Sequence, residues 1–313
     1  MFKNIICLFV VLFFVSSCEK SENESSEKGM EYALVLEGEW ICETQMQWEV
    51  MEFSRTGKCF YYNGVVAWNV ENIHKCDGLY FIEGDNITGQ CYSLNGYVNW
   101  DFTILTISDN EFEAKHNKTG VVKTYHRVIK EYELKPGETI KIDNSSLLAS
   151  DIKQLKSHDN NIAIVDNNTG EVIAGNGGLV LIDVITENND IAYIKVKVNG
   201  IMDLTPYLNL KQENVFTIFG TPTTIDGMES LYYSVRDNLT DYVQFHFNSE
   251  TEVQMITLKL IEGSLEKETI QEQLDRMYIK DNNNISNYFV LYYTSNSKIG
   301  YFPEYNTIYF SQR

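Results

Sequence analysis

The chain has 313 residues, with 44 acidic and 25 basic side chains and a formal net charge of −19. Phosphate contacts dominate nucleic-acid affinity and need a basic patch, so this balance excludes nucleic acid as a partner. A hydrophobic content of 43% is enough to bury real cores; length suggests about two domains, and local pattern argues for three.

Met1-Phe2-Lys3-Asn4 carries one positive charge, and Ile5 to Val15 is an unbroken apolar run. Small residues follow at Ser16 and Ser17, the layout of a secretory signal. The run is far shorter than the ~20 residues that span a bilayer as a helix. Val15-Ser16-Ser17-Cys18 resembles the bacterial lipobox. That resemblance implies a signal peptide over residues 1–17 and diacylglycerol on the Cys18 sulfur. Several acyl chains hold a protein where one is marginal, and the acidic body is itself repelled by anionic headgroups. Residues 18–33, rich in Glu and Ser, read as a flexible tether. The expected location is the cell envelope, lipid-anchored, with the leaflet left open.

Residues 34–130 hold all four tryptophans and about eight short β-rich runs separated by turn signals such as Glu83-Gly84-Asp85-Asn86. This spacing predicts a sandwich or barrel. Leu36-Glu37-Gly38-Glu39-Trp40 resembles the G-x-W opening of lipocalin-like domains. The resemblance implies that Arg127 packs over Trp40 and closes the barrel floor, a cation–π contact. It leaves two interiors open, one filled by side chains and one holding a small apolar ligand; the filled form is preferred. Cys42, Cys59, Cys76 and Cys91 can pair in three ways in an oxidising compartment. A hairpin from Leu79 to Gln90 favours Cys76–Cys91, leaving Cys42–Cys59, with buried thiols as the alternative. No C-x-x-C motif points to zinc, and no cofactor is expected.

In residues 131–200, Asn161-Ile162-Ala163-Ile164-Val165-Asp166 is followed by Asn168-Thr169-Gly170, Glu171-Val172-Ile173-Ala174 and a Gly177-Gly178 corner. The segment resembles the bacterial Ig-like group 2 domain (BIG2), which implies a β-sandwich acting as spacer or adhesive unit. Ile162, Ile164, Val172 and Ala174 are expected to share one core. Asp166, Asn168 and Glu171 are too few for a calcium loop.

Residues 203–313 change pattern. Lys211 to Phe219 reads as a helix stopped by Gly220 and Pro222. Ser264 is the expected cap of a second helix, Leu265 to Tyr278, with Ile270, Leu274, Met277 and Tyr278 on one face. Three strands follow each helix: Leu231–Val235, Tyr242–Phe247 and Val253–Ile261, then Tyr288–Thr294, Ile299–Phe302 and Thr307–Phe310. This tandem α-βββ plan resembles small bacterial lipoprotein and inhibitor domains, in which paired helices back an antiparallel sheet. Alternation buries Val243, Phe245, Phe247, Phe289 and Leu291. It turns Tyr242, Gln244, His246, Tyr288 and Tyr292 outward, with Tyr309 joining them. Tyrosines give contact area at little entropic cost, so this face fits a protein or glycan partner; solvated sheet also favours them.

No G-x-S-x-G, H-E-x-x-H or P-loop motif occurs. His74, His116, His126, His158 and His246 are scattered and read as surface residues. The expectation is a mainly β, multi-domain, membrane-tethered binding or adhesion lipoprotein without enzymatic activity. The alternatives are a carrier of a small apolar ligand and a hydrolase with an unrecognised site.

Overall fold

The computed structural model describes residues 29, 31–43, 47–65, 76–93, 96–142, 151–219, 222, 224–226, 230–234, 239–282 and 289–313. Cys18, the signal segment, Trp68, His74, Tyr288 and the Gly220-Thr221 corner lie outside them. Among the described residues no helix is long and apolar enough to cross a membrane.

The protein is mostly β, and its first eight strands form a closed antiparallel barrel. They are β1 (Gly38–Glu43), β2 (Gln47–Phe53), β3 (Lys58–Val65), β4 (Cys76–Glu83), β5 (Asn86–Ser93), β6 (Gly96–Ile107), β7 (Glu111–His116) and β8 (Val122–Leu134). Each pairs with its neighbour, and β1 returns to β8 with Trp40 opposite Arg127. Closure removes the free edges that an open sheet would expose. The β4–β5 turn falls at Gly84-Asp85, where Gly84 has a positive φ of 59°, as a two-residue II′ hairpin turn needs at its first central position. A short helical segment over 31–36 leads into β1. Tyr32 packs against the barrel core and donates to Asp85 Oδ1 at 2.9 Å. The folded body therefore takes in part of the segment read as tether.

Strand β8 serves two units. Its first half closes the barrel; from Val128 to Leu134 it pairs in parallel with β14 (Ile191–Val198). The expected 130/131 boundary thus falls inside one continuous strand. Between them lie β9 (Thr139–Lys141), β10 (Ile152–Ser157), β11 (Ala163–Asp166), β12 (Glu171–Ala174) and β13 (Gly178–Thr186). Sheet β8-β14-β13-β10 faces sheet β11-β12-β9 across a core of Leu155, Val172, Ile182, Ile194, Val196 and neighbours. Ile162, Val172 and Ala174 are buried as expected, but Ile164 is 50% exposed and Ala163 is buried instead. Ile162 sits in a turn, its N–H donating to Asp159 O. Counting alternation from it puts β11 out of phase by one residue, which flips every side chain.

The last unit is one antiparallel sheet. Its strands are β15 (Thr224–Asp226), β16 (Ser230–Ser234), β17 (Thr240–Phe247), β18 (Val253–Leu260), β19 (Ile279–Lys280), β20 (Val290–Tyr293), β21 (Ser297–Phe302) and β22 (Thr307–Gln312). The order is β15-β16-β17-β18-β22-β21-β20-β19. Helix α1 (Gln212–Phe219) precedes the first four strands and α2 (Lys267–Met277) the last four. Edge strands β15 and β19, of three and two residues, were too short to see in the sequence. Val215, Ile270 and Leu274 of the helices share one core with Val243, Phe245, Ile256, Ile308 and Phe310 of the sheet. Ser264 does not cap α2: its hydroxyl donates to Ile261 O at 2.7 Å, and the helix begins after Glu266. Glu268 in the first turn and Arg276 in the last complement the helix dipole.

Candidate functional site

The outer face of the C-terminal sheet is the candidate binding surface. Cross-strand register builds it in rows. Gln244 stands opposite Thr257, Thr257 opposite Tyr309, Tyr309 opposite Gly300 and Gly300 opposite Leu291. A second row runs Tyr242, Lys259, Thr307 and Phe302. Phe302 joins the rows, its ring stacked on Phe289 at 5.9 Å and edge-on to Tyr309 at 5.2 Å. Tyr242, Gln244, His246 and Tyr309 are all half-buried. His246 Nε2 lies 3.1 Å from Thr257 Oγ1, and burial lowers its pKa, which keeps it neutral near pH 7. The face is thus aromatic at Tyr242, Phe302 and Tyr309, with Thr257 and Thr307 buried among them and the Lys259 cation within the second row.

One expected member does not belong to it. Tyr292 is 0% exposed and lies in the core beside Val290, facing Ile299 across the ladder. Phe289 and Leu291, expected inside, are half-buried on the outer face. Every residue of β20, Val290-Leu291-Tyr292-Tyr293, is hydrophobic, so hydrophobicity alone carries no sign for its faces. Burial, then Asp275, push the Tyr292 hydroxyl well up from its usual value.

The described core residues of the barrel pack its interior with side chains. Trp40 meets Phe112 at 4.9 Å, Phe112 stacks on Tyr125 at 4.6 Å, and Phe53 contacts Tyr80 at 5.0 Å and Trp100 at 6.0 Å. Gly89 faces Trp100, and a Cβ there would lie 1.9 Å from the indole, so only glycine admits that ring. At the floor the Arg127 guanidinium sits 4.3 Å over the Trp40 ring. It also donates to the carbonyls of Glu37, at 2.6 Å, Val35 and Asp109. Trp40 Nε1 donates to Leu36 O at 2.7 Å. The stacking of Arg127 on Trp40 is the contact that the resemblance implied.

The cysteines fall differently from the expected pairing. Cys42 faces Glu49 on β2, whereas Cys59 faces Phe53, four residues along that strand. At ~3.3 Å per residue this is about 13 Å, and a disulfide needs Cα atoms within about 7 Å. Cys42–Cys59 is therefore excluded. Cys91 stands opposite Gly78, not Cys76, and Gly78 also stands opposite Cys59. The two buried sulfurs, Cys59 and Cys91, meet at 3.6 Å. Gly78 makes this approach possible: a Cβ there would lie 2.7 Å from Cys91 Sγ. The Cys91 contact, then burial, push the Cys59 thiol up, so it stays protonated. Oxidation by a disulfide donor during refolding is expected to join Cys59 to Cys91 and to leave Cys42 reduced. Non-reducing peptide mapping checks this, and a disulfide at Cys42 would contradict it.

A second cluster was invisible in sequence. His158 Nδ1 lies 2.7 Å from Glu43 Oε2 of the barrel, and Nε2 contacts Asp183 of β13. Burial alone would lower its pKa, but hydrogen bonds to Asp183 and Glu43 outweigh this and raise it to about 9. Tyr193 packs edge-on against both His158, at 5.7 Å, and His126, at 5.1 Å. Burial lowers the pKa of His126. Nearby, Lys195 is 3% exposed and bridges Glu39, at 3.2 Å, and Glu131, at 3.3 Å. Ile41, Val50, Leu179 and Leu181 form one apolar cluster with Tyr193. Histidines that look scattered along the chain converge at this junction, where only the β8–β14 pairing brings them together.

No protein-family model matches the chain, and no curated protein matches it either.

Proposed function

We propose that the chain is an envelope lipoprotein, acylated on Cys18 and tethered to a membrane, whose folded body is a non-enzymatic binding module. The barrel is read as lipocalin-like, the middle unit as Ig-like and the last unit as a tandem α–β repeat. The observation that carries the binding role is the outer sheet face, where Tyr242, Gln244, Phe302 and Tyr309 form one continuous surface. Half-exposed aromatics with polar neighbours suit a protein or glycan partner, because they offer large contact area at low entropic cost.

Two other readings are weaker. A carrier needs an empty cup, and the described barrel residues fill theirs with stacked rings. A hydrolase needs an accessible acid–base group, and the histidine with the closest carboxylates, His158, is enclosed between two units. The shared strand β8 and the buried Lys195 bridge suit a rigid stalk that holds the sheet face away from the bilayer.

Photo-crosslinking in living cells tests the face. A benzophenone amino acid at Tyr309 is expected to give a discrete adduct that the same group at Lys156, on the exposed side of β10, does not give. Identical patterns from both positions would overturn the assignment.

A further inference from the structure

A cleft of about 380 Å³ lies where the middle unit meets α2. This is within the range of small-molecule sites. Val198, Met202, Leu239 and Leu265 give it apolar walls, and Lys135 and Arg276 stand at its lining. In a chain with 44 acidic residues, the described lining residues include two cations and no carboxylate. Neither cation forms an ion pair among the described residues. Among the described residues the Arg276 guanidinium has one hydrogen-bond contact, a long one of 3.5 Å to Pro136 O. Gln273 adds a fixed polar group. It is 5% exposed, and its Oε1 accepts from Ile201 N–H at 2.8 Å. That bond orients the amide and leaves both Nε2 hydrogens without a partner among the described residues. Gly200 permits this packing, since a Cβ there would lie 2.6 Å from Pro136 Cγ and 2.9 Å from Gln273 Oε1.

We propose that this cleft binds a small organic carboxylate with an apolar body, the carboxylate held by Lys135, Arg276 and the Gln273 amide and the body lying on Val198, Met202, Leu239 and Leu265. Unpaired cations beside apolar walls match an amphiphilic anion and reject a cation of the same shape. An arginine fork suits a planar carboxylate, and two further donors fix its orientation. The site depends neither on the lipid tether nor on the outer sheet face.

Titration calorimetry on the mature full chain in lipid nanodiscs tests this, with empty nanodiscs correcting for partition into lipid. The probes are decanoate and 4-phenylbutyrate, each against its uncharged amide. Saturable one-site binding is expected for at least one acid, and which acid binds tells an alkyl from an aromatic ligand. The matching amide is expected to bind about ten-fold more weakly, as loss of a charge-assisted contact predicts. The double variant Arg276→Gln, Lys135→Gln should lose affinity to a similar degree. Its changes lie on exposed side chains, so its circular dichroism should match the parent. Thr269→Trp, which fills the cleft, should abolish binding. Absence of saturable binding, equal affinity for acid and amide, or unchanged affinity in the double variant would each overturn the proposal.

Discussion

Truncating Trp40 to alanine is expected to lower the stability of the chain by about 3–5 kcal/mol, the usual cost of removing a buried tryptophan. Among the described residues Trp40 is the largest of the fully buried side chains. Its loss removes the edge contact to Phe112, the bond to Leu36 O and the ring under Arg127. Arg127 would then cover a cavity, its guanidinium held only by backbone carbonyls. Against a total of about 5–15 kcal/mol for a folded protein, such a loss removes a large share of the stability and should move the unfolding midpoint to clearly lower denaturant. Denaturant unfolding followed by tryptophan fluorescence and circular dichroism measures it. Arg127→Lys, which keeps the charge but not the planar stack, should cost less. A loss under about 1 kcal/mol for Trp40→Ala, the scale of an ordinary surface change, would mean that the floor is not what closes the barrel.

The second large effect is on pH dependence. His158 titrates at about 9 when folded and near 6.5 when unfolded. A raised folded value means that the native state holds the proton more tightly. Its contribution is therefore fully present below pH 6.5 and disappears as pH rises through 9. The amount is on the order of 2–3 kcal/mol, since the imidazole is largely enclosed between Glu43 and Asp183. His126 acts in a different window: burial lowers its pKa, so it weakens the fold only as pH falls below 6.5. The growing self-repulsion of an acidic chain also lowers stability at high pH, so the test is a difference. Unfolding free energies of the parent and of His158→Asn, measured from pH 6 to pH 10, should converge as pH rises. A constant gap across that range would contradict the assigned role.

The sequence was most informative where one local pattern had one structural solution. Trp40 and Arg127 could be paired from the G-x-W opening and the position of the last barrel strand. The Val243, Phe245 and Phe247 face was readable because its neighbours are polar. Legibility failed where a pattern had two solutions. Both faces of β20 are hydrophobic, so Tyr292 went to the wrong side. In β11 a turn residue, Ile162, set a false phase. Cysteine pairing was beyond local reading because Cys59 and Cys91 meet across an intervening strand through the gap at Gly78. The His158 cluster depends on one strand serving two units, and a domain boundary drawn by composition at residue 130 cuts through it. The candidate cleft needs α2 packed against the end of β14, a contact that no periodicity encodes.

The tether is the claim on which the rest of the functional account is hung. Cells expressing the chain or its Cys18→Ser variant, fed a radioactive or clickable palmitate and then fractionated, test it most directly. The account predicts that the parent is labelled and partitions with membranes, while the variant carries no label. An unlabelled parent found in the soluble fraction would contradict it.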